Sequence, residues 1–88
     1  MTLVFNETAF KHGVTAEDIY CAMAVPLTDI ILEKHINKYL VIGFDVKGNL
    51  LEIMYNLVDE DTANVFHTWC FWAMPKNTRH AEQNIQII

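Results

Sequence analysis

Two short basic clusters hold the residues best suited to chemistry: Lys11-His12 near one end of the chain, and Lys76, Arg79 and His80 near the other. Lysine and arginine hold a phosphate and stabilise charge developing on it, and a histidine titrating near neutrality moves a proton. Such a set suits cleavage of RNA by its own 2′-hydroxyl. The plainer reading is that basic residues beside helix ends satisfy the helix dipole and solvate the surface. Taken alone, the residues favour that plainer reading.

His67 lies in the middle of an aromatic run, where a histidine is more often a hydrogen-bonded core or interface residue than a proton carrier. An extended strand puts His67 and Cys70 on opposite faces, so they do not share a metal, and no second Cys/His pair stands nearby. His35 falls in an expected turn and faces solvent. Trp69, Phe71 and Trp72 invite base stacking, yet an aromatic stripe at strand spacing more often marks core or a protein interface. Asp59, Glu60 and Asp61 read as a solvated turn, because consecutive carboxylates seldom converge on a metal without a backbone that aims them.

Positioning these residues is the task of a sheet. Lys38–Phe44, Leu50–Val58 and Ala63–Ala73 are short runs rich in β-branched and aromatic residues, punctuated by Asp45-Val46-Lys47-Gly48-Asn49 and Asp59-Glu60-Asp61. They predict an antiparallel meander. In the second run Leu51, Ile53, Tyr55 and Leu57 oppose Glu52, Met54 and Asn56, a half-buried alternation. In the third, simple alternation groups Val65, His67, Trp69, Phe71 and Ala73 against Phe66, Thr68, Cys70 and Trp72. The sheet is expected to act as a scaffold that contributes little chemistry of its own.

Around the meander, Leu3-Val4-Phe5 is a candidate further strand and Asp29–Leu32 a candidate edge strand. Asn6 and Glu7 begin a turn or short helix that Gly13 ends. Thr15 with Asp18 forms a capping box, opening a helix to about Ala24. Ala16, Ile19, Tyr20 and Met23 form its apolar face, and Pro26 closes it. Asn77 or Thr78 caps an expected final helix, followed by the apolar Ile85-Gln86-Ile87-Ile88.

Composition sets the limits. Eighty-eight residues, 52% of them hydrophobic, predict one small packed domain over 1–88. Two cysteines without CxxC spacing are expected reduced and buried. Nothing resembles a signal peptide or a membrane span, so a cytoplasmic location is expected. Six basic against eleven acidic residues give a net charge of −5. A phosphate backbone is therefore attracted only if the basic residues gather on one face.

The segment Lys11-His12-Gly13-Val14-Thr15 resembles the BrnT-like bacterial toxins, small RelE-fold ribonucleases of type II toxin–antitoxin systems. Tyr39-Leu40-Val41-Ile42-Gly43 and Gly48-Asn49-Leu50-Leu51-Glu52-Ile53-Met54-Tyr55 are similar to that family's strands in the same order. Ala73-Met74-Pro75-Lys76-Asn77-Thr78-Arg79 matches its basic helix start more loosely.

The resemblance implies an α+β fold: an antiparallel sheet of three to four strands with N-terminal helices and a short C-terminal helix. It implies an endoribonuclease without a cofactor or metal, restrained by a cognate antitoxin protein. Lys11, His12, Arg79 and His80 become the catalytic candidates, and Lys11 and Lys76 the RNA contacts. The family is usually basic and its last strand less aromatic than Trp69-Cys70-Phe71-Trp72. A non-catalytic interaction module on the same fold, oligomerising through the Trp69–Trp72 strand, is the rival reading, and single-strand binding by those aromatics a third.

Overall fold

The computed structural model describes residues 1–73. Lys76, Arg79, His80, the expected C-terminal helix and the apolar end lie outside the described residues. The chain runs β1 (Thr2–Phe5), a 3-10 turn (Glu7–Phe10), α1 (Ala16–Ala24), β2 (Thr28–Glu33), a second 3-10 turn (Lys34–Ile36), β3 (Lys38–Phe44), β4 (Leu50–Asp59), β5 (Thr62–Cys70) and a third 3-10 turn (Phe71–Ala73). The sheet has five strands in the order β1-β5-β4-β3-β2. Strands β2 to β5 are antiparallel neighbours, while β1 runs parallel to β5.

The class is α+β, as expected, with one α-helix among the described residues, and the sheet is larger than the three or four strands predicted and mixed rather than antiparallel throughout. The meander is where the sequence puts it. Asp45 makes its first turn, accepting hydrogen bonds from the backbone of Lys47 (2.9 Å) and Asn49 (2.7 Å). Asp59 holds the second, accepting from the backbone of Asp61 at 2.8 Å.

The capping box forms as read. The Thr15 hydroxyl accepts from the Asp18 backbone at 3.2 Å, and the Asp18 carboxylate accepts from the Thr15 backbone at 3.3 Å. Asp18 also accepts from the Val46 backbone at 3.2 Å, which fastens the start of α1 to the β3–β4 turn. The Thr15 hydroxyl also donates to the Asp18 carboxylate at 2.7 Å, and this side-chain hydrogen bond is the main reason the Asp18 carboxyl sits below its ordinary pKa.

One face of the sheet carries the principal core. Val41, Leu51, Ile53, Tyr55, Ala63 and Val65 pack there with Ile19 and Ala22 of α1 and with Ala9 and Val14. The helix buries Ile19 and Ala22, whereas Tyr20, assigned to its apolar face from sequence, is 52% exposed. Gly43 sits so close under α1 that a Cβ there would overlap the Ala22 carbonyl. Tyr55 donates to Asp29 (3.0 Å) and stacks on Tyr39 with ring centroids 5.1 Å apart. Burial, with Asp29 adding, pushes its hydroxyl pKa up. The opposite face carries a smaller cluster of Leu40, Ile42 and Met54, flanked by Ile30, Leu32, Leu50, Phe66 and Phe71.

Strand β5 departs from simple alternation. Tyr55 pairs with Val65 but Met54 pairs with His67, so Phe66 is an extra residue, a β-bulge. Past it the two faces exchange parity. Ala63 and Val65 lie on the helix-covered face and so do Thr68 and Cys70, while His67 and Trp69 join Glu52 and Met54 on the other. The grouping of His67 and Trp69 with Val65 is thus corrected, because a bulge is invisible to a period of two. The strand also ends at Cys70, three residues earlier than expected, where Phe71–Ala73 turns into 3-10 geometry.

The cysteine expectation needs correcting as well. Both are free thiols, but Cys21 is exposed and Cys70 half-buried. Among the described residues, no helix is long and apolar enough to cross a membrane.

Candidate active site

Strand β1 accompanies β5 only as far as Val65. Beyond that point the 3-10 turn Glu7–Phe10 takes over along the β5 edge. Asn6 donates its backbone N–H to the Val65 carbonyl at 2.9 Å, the Thr8 hydroxyl donates to the Phe66 carbonyl, and the Thr68 hydroxyl donates to the Ala9 carbonyl. The β5 carbonyls of Val65 and Phe66, where β1 ends, thereby find partners. Asn6 caps the turn, accepting from the Thr8 backbone at 3.1 Å. Gly13, at φ +78°, ends the segment with a left-handed residue. Lys11 and His12 are carried in this way to the edge of the face opposite α1.

There His12 meets the sheet. Its ring lies flat on Trp69, centroids 3.7 Å apart and planes inclined by 2°, and it meets the His67 ring edge-on at 6.1 Å. Burial lowers the His12 pKa below the ordinary histidine value, with further lowering from His67 and Lys11. The neutral imidazole is the form that accepts a proton near pH 7.

His67 Nε2 lies 3.1 Å from Glu52 Oε2, with the ring N–H donating to the carboxylate. Glu52 is 1% exposed and the His67 side chain 24%. A buried carboxylate is costly to desolvate unless it is paired and hydrogen-bonded, and a carboxylate on one ring nitrogen fixes the orientation and tautomer of an imidazole. The pairing is cross-strand: Glu52 is opposite Trp69 and Met54 opposite His67. Glu52 and Met54, read from sequence as the more exposed half of β4, are both buried.

These residues border an open cleft of about 580 Å³. Thr8, Lys11, His12, Lys38, Met54, Phe66, His67 and Trp69 line it, with His12 stacked on Trp69, Met54 opposite His67 on the neighbouring strand, and Lys38 beside Phe66. Lys38 Nζ lies 5.9 Å from the centroid of the Phe66 ring. The lining side chains include two lysines and two histidines and no carboxylate. Two basic residues of the chain therefore converge on one groove although the molecule as a whole is acidic. Among the described residues, no group of three or more His, Cys, Asp or Glu is gathered to hold a metal ion.

Of the residues singled out in the sequence, Lys11 and His12 are in this site, and Lys76, Arg79 and His80 lie outside the described residues. His35 is exposed, as expected, in the second 3-10 turn. Sequence reasoning missed Glu52 and Lys38 and set His67 aside as a core or interface residue. The signal for Glu52 was a lone acid inside the apolar run Leu50–Leu57, with a histidine available on the next strand. Glu52, His67, Trp69 and Lys38 all come from the strands of the sheet, which the sequence reading treats as a scaffold.

No protein-family model, curated protein or solved structure matches this chain.

Proposed function

We propose that this chain is a toxin-type endoribonuclease of RelE/BrnT-like fold that cleaves RNA through its own 2′-hydroxyl without a metal ion, and that a cognate antitoxin restrains it in the cytoplasm. The observation that carries the reading is the convergence of two imidazoles, His12 and His67, with Lys11 and Lys38 in one cleft. The segment bearing Lys11 and His12 is also the one most like the BrnT-like family.

Neutral His12 takes the proton from O2′ as that oxygen bonds to phosphorus. The P–O5′ bond breaks, and O5′ receives a proton from His67. Glu52 holds the His67 ring by its other nitrogen and balances the positive charge of the donor form. Lys11 stabilises charge on the non-bridging oxygens. The products are a 2′,3′-cyclic phosphate and a free 5′-hydroxyl, from which the two histidines return to their starting states on hydrolysis of the cycle or by exchange with water. Each proton transfer contributes on the order of 10²- to 10⁴-fold. An antitoxin that covered the cleft would abolish the activity.

Cleavage of single-stranded RNA by the purified protein in EDTA, and growth arrest on expression, are the expected results. Both should be lost in Lys11→Ala and His12→Ala. No cleavage and no arrest, with the variants indistinguishable from the parent, would overturn the enzymatic reading.

One observation favours the interaction module instead. Trp72 is 72% exposed at the end of the aromatic run, and such a residue anchors protein contacts. Trp69 serves that reading less well, because one face of its ring is occupied by His12. Sedimentation separates the readings: self-association that Trp72→Ser abolishes would support the module.

A further inference from the structure

We infer that the Phe66–Lys38 end of the cleft is a nucleotide subsite, which takes the base and phosphate next to the scissile bond and so restricts the substrate to single-stranded RNA. The inference rests on the endoribonuclease reading and adds to it the substrate's conformation and direction across the sheet.

Trp69, His67 and Phe66 succeed one another on the cleft side, because the bulge turns Phe66 to the same face as the two residues that follow it at alternate positions. His12 stacks at the Trp69 end. Lys38, on β3 opposite Asn56, is displaced toward the Phe66 end. A phosphate held by His12 and His67 therefore has Trp69 toward one end and the Phe66–Lys38 pair toward the other. A strand of RNA passing through the first reaches the second.

An aromatic ring with a lysine 5.9 Å from its centroid offers a nucleotide both things it presents, a π-face for the base and a cation for the phosphate. The lysine stem is flexible, so the ammonium moves aside to the phosphate as the base settles on the ring. Trp69 is not available for that role on the face His12 covers. Only an unpaired base exposes its face to such a platform, whereas a base within a duplex is stacked on both sides. The cleft volume of about 580 Å³ accommodates more than the phosphate alone.

The test uses the full chain and a fluorescein-labelled oligonucleotide carrying a 2′-deoxy sugar at the scissile position, single-stranded or annealed to its complement, with binding read by anisotropy. The single strand is expected to bind at least tenfold tighter than the duplex. Lys38→Ala should weaken it and lower the salt slope of log Kd by about 0.7, the loss of one phosphate contact on a single strand. Phe66→Leu should weaken it about 5- to 50-fold with the salt slope unchanged. Because Phe66 also packs on the smaller core cluster, the Lys38 variant carries the test if Phe66→Leu fails to fold. On cleavable RNA both variants should raise KM more than they lower kcat. Equal binding of duplex and single strand, or binding unmoved by both variants while His12→Ala still abolishes cleavage, would overturn the subsite and leave the nuclease reading standing. Absence of any oligonucleotide binding or cleavage would overturn both.

Discussion

The two faces of this sheet solve different problems with neighbouring residues of the same strands. On one face Leu51, Ile53 and Tyr55 of β4 meet Ala63, Val65 and the helix α1, and the result is a buried, largely apolar core. On the other, Glu52 and Met54 meet His67 and Trp69 across a cleft bordered by Lys11, His12 and Lys38. Burial of apolar area stabilises the first face, at roughly 25 cal/mol per Å² removed from water. The second keeps a buried carboxylate and two histidines, groups whose desolvation costs stability and which are retained most often where they do chemistry. The plane of the sheet thus separates the principal core from the face that carries the proposed site beside a smaller apolar cluster, and the Phe66 bulge puts His67 and Trp69 on the cleft side.

That division can be broken by experiment. The largest effect is expected from His12→Ala, which should lower RNA cleavage on the order of 10²- to 10⁴-fold while urea denaturation shifts by less than about 1 kcal/mol. A loss of stability in proportion to the loss of activity would mean that the cleft face is structural after all. Gly43→Ala should do the reverse. Its new methyl group collides with the Ala22 carbonyl and forces α1 from the sheet, costing about 1–3 kcal/mol in urea denaturation. Folded Gly43→Ala protein should cleave RNA at a rate close to the parent's, since neither Gly43 nor α1 lines the cleft.

A smaller effect is expected at the helix cap. Thr15→Ala removes the hydroxyl that accepts from the Asp18 backbone, and should cost about 1 kcal/mol. It should also change the acid limb of the stability curve. Asp18 has a folded pKa below its ordinary 3.8, so its contribution is fully present above that value and is lost as pH falls through the folded value. Without Thr15 the contribution shrinks, and the parent and variant curves should converge at low pH. Parallel curves down to the lowest pH would show that the cap does not set the carboxylate.

The smallest effect concerns His12. Its folded pKa is lowered, so the unfolded chain binds its proton first as pH falls through 6.5. Stability from this group is therefore complete above pH 6.5 and declines as pH drops toward the folded value. In the same interval cleavage should fall, because His12 becomes protonated and no longer accepts from O2′. NMR titration of the ring reads both directly, and a His12 midpoint above 6.5 would contradict the account.

Much of the fold was legible because local signals agreed. The capping box at Thr15 and Asp18 bounded α1 correctly, and Lys38–Phe44 was found residue for residue between its turn and the Asp45–Asn49 loop. The β2 edge strand and the β1 strand were visible as short apolar runs, although nothing local says that β1 pairs parallel to β5. The site was legible by half. Lys11 and His12 stood out as a basic pair beside a glycine. His67 and Glu52 did not, since each looks like an ordinary strand residue until the register is known, and the register depends on a bulge. Lys38, at the start of a strand, gains its meaning only from the ring of Phe66 two strands away.

One measurement tests the central claim most directly: the chemistry of the RNA ends produced by the purified chain in EDTA, determined by mass spectrometry for the parent and for His12→Ala and His67→Ala. The account predicts 2′,3′-cyclic phosphate and 5′-hydroxyl ends from the parent, and little product from either variant. Products bearing 5′-phosphate and 3′-hydroxyl ends, or cleavage that survives both substitutions, would contradict it.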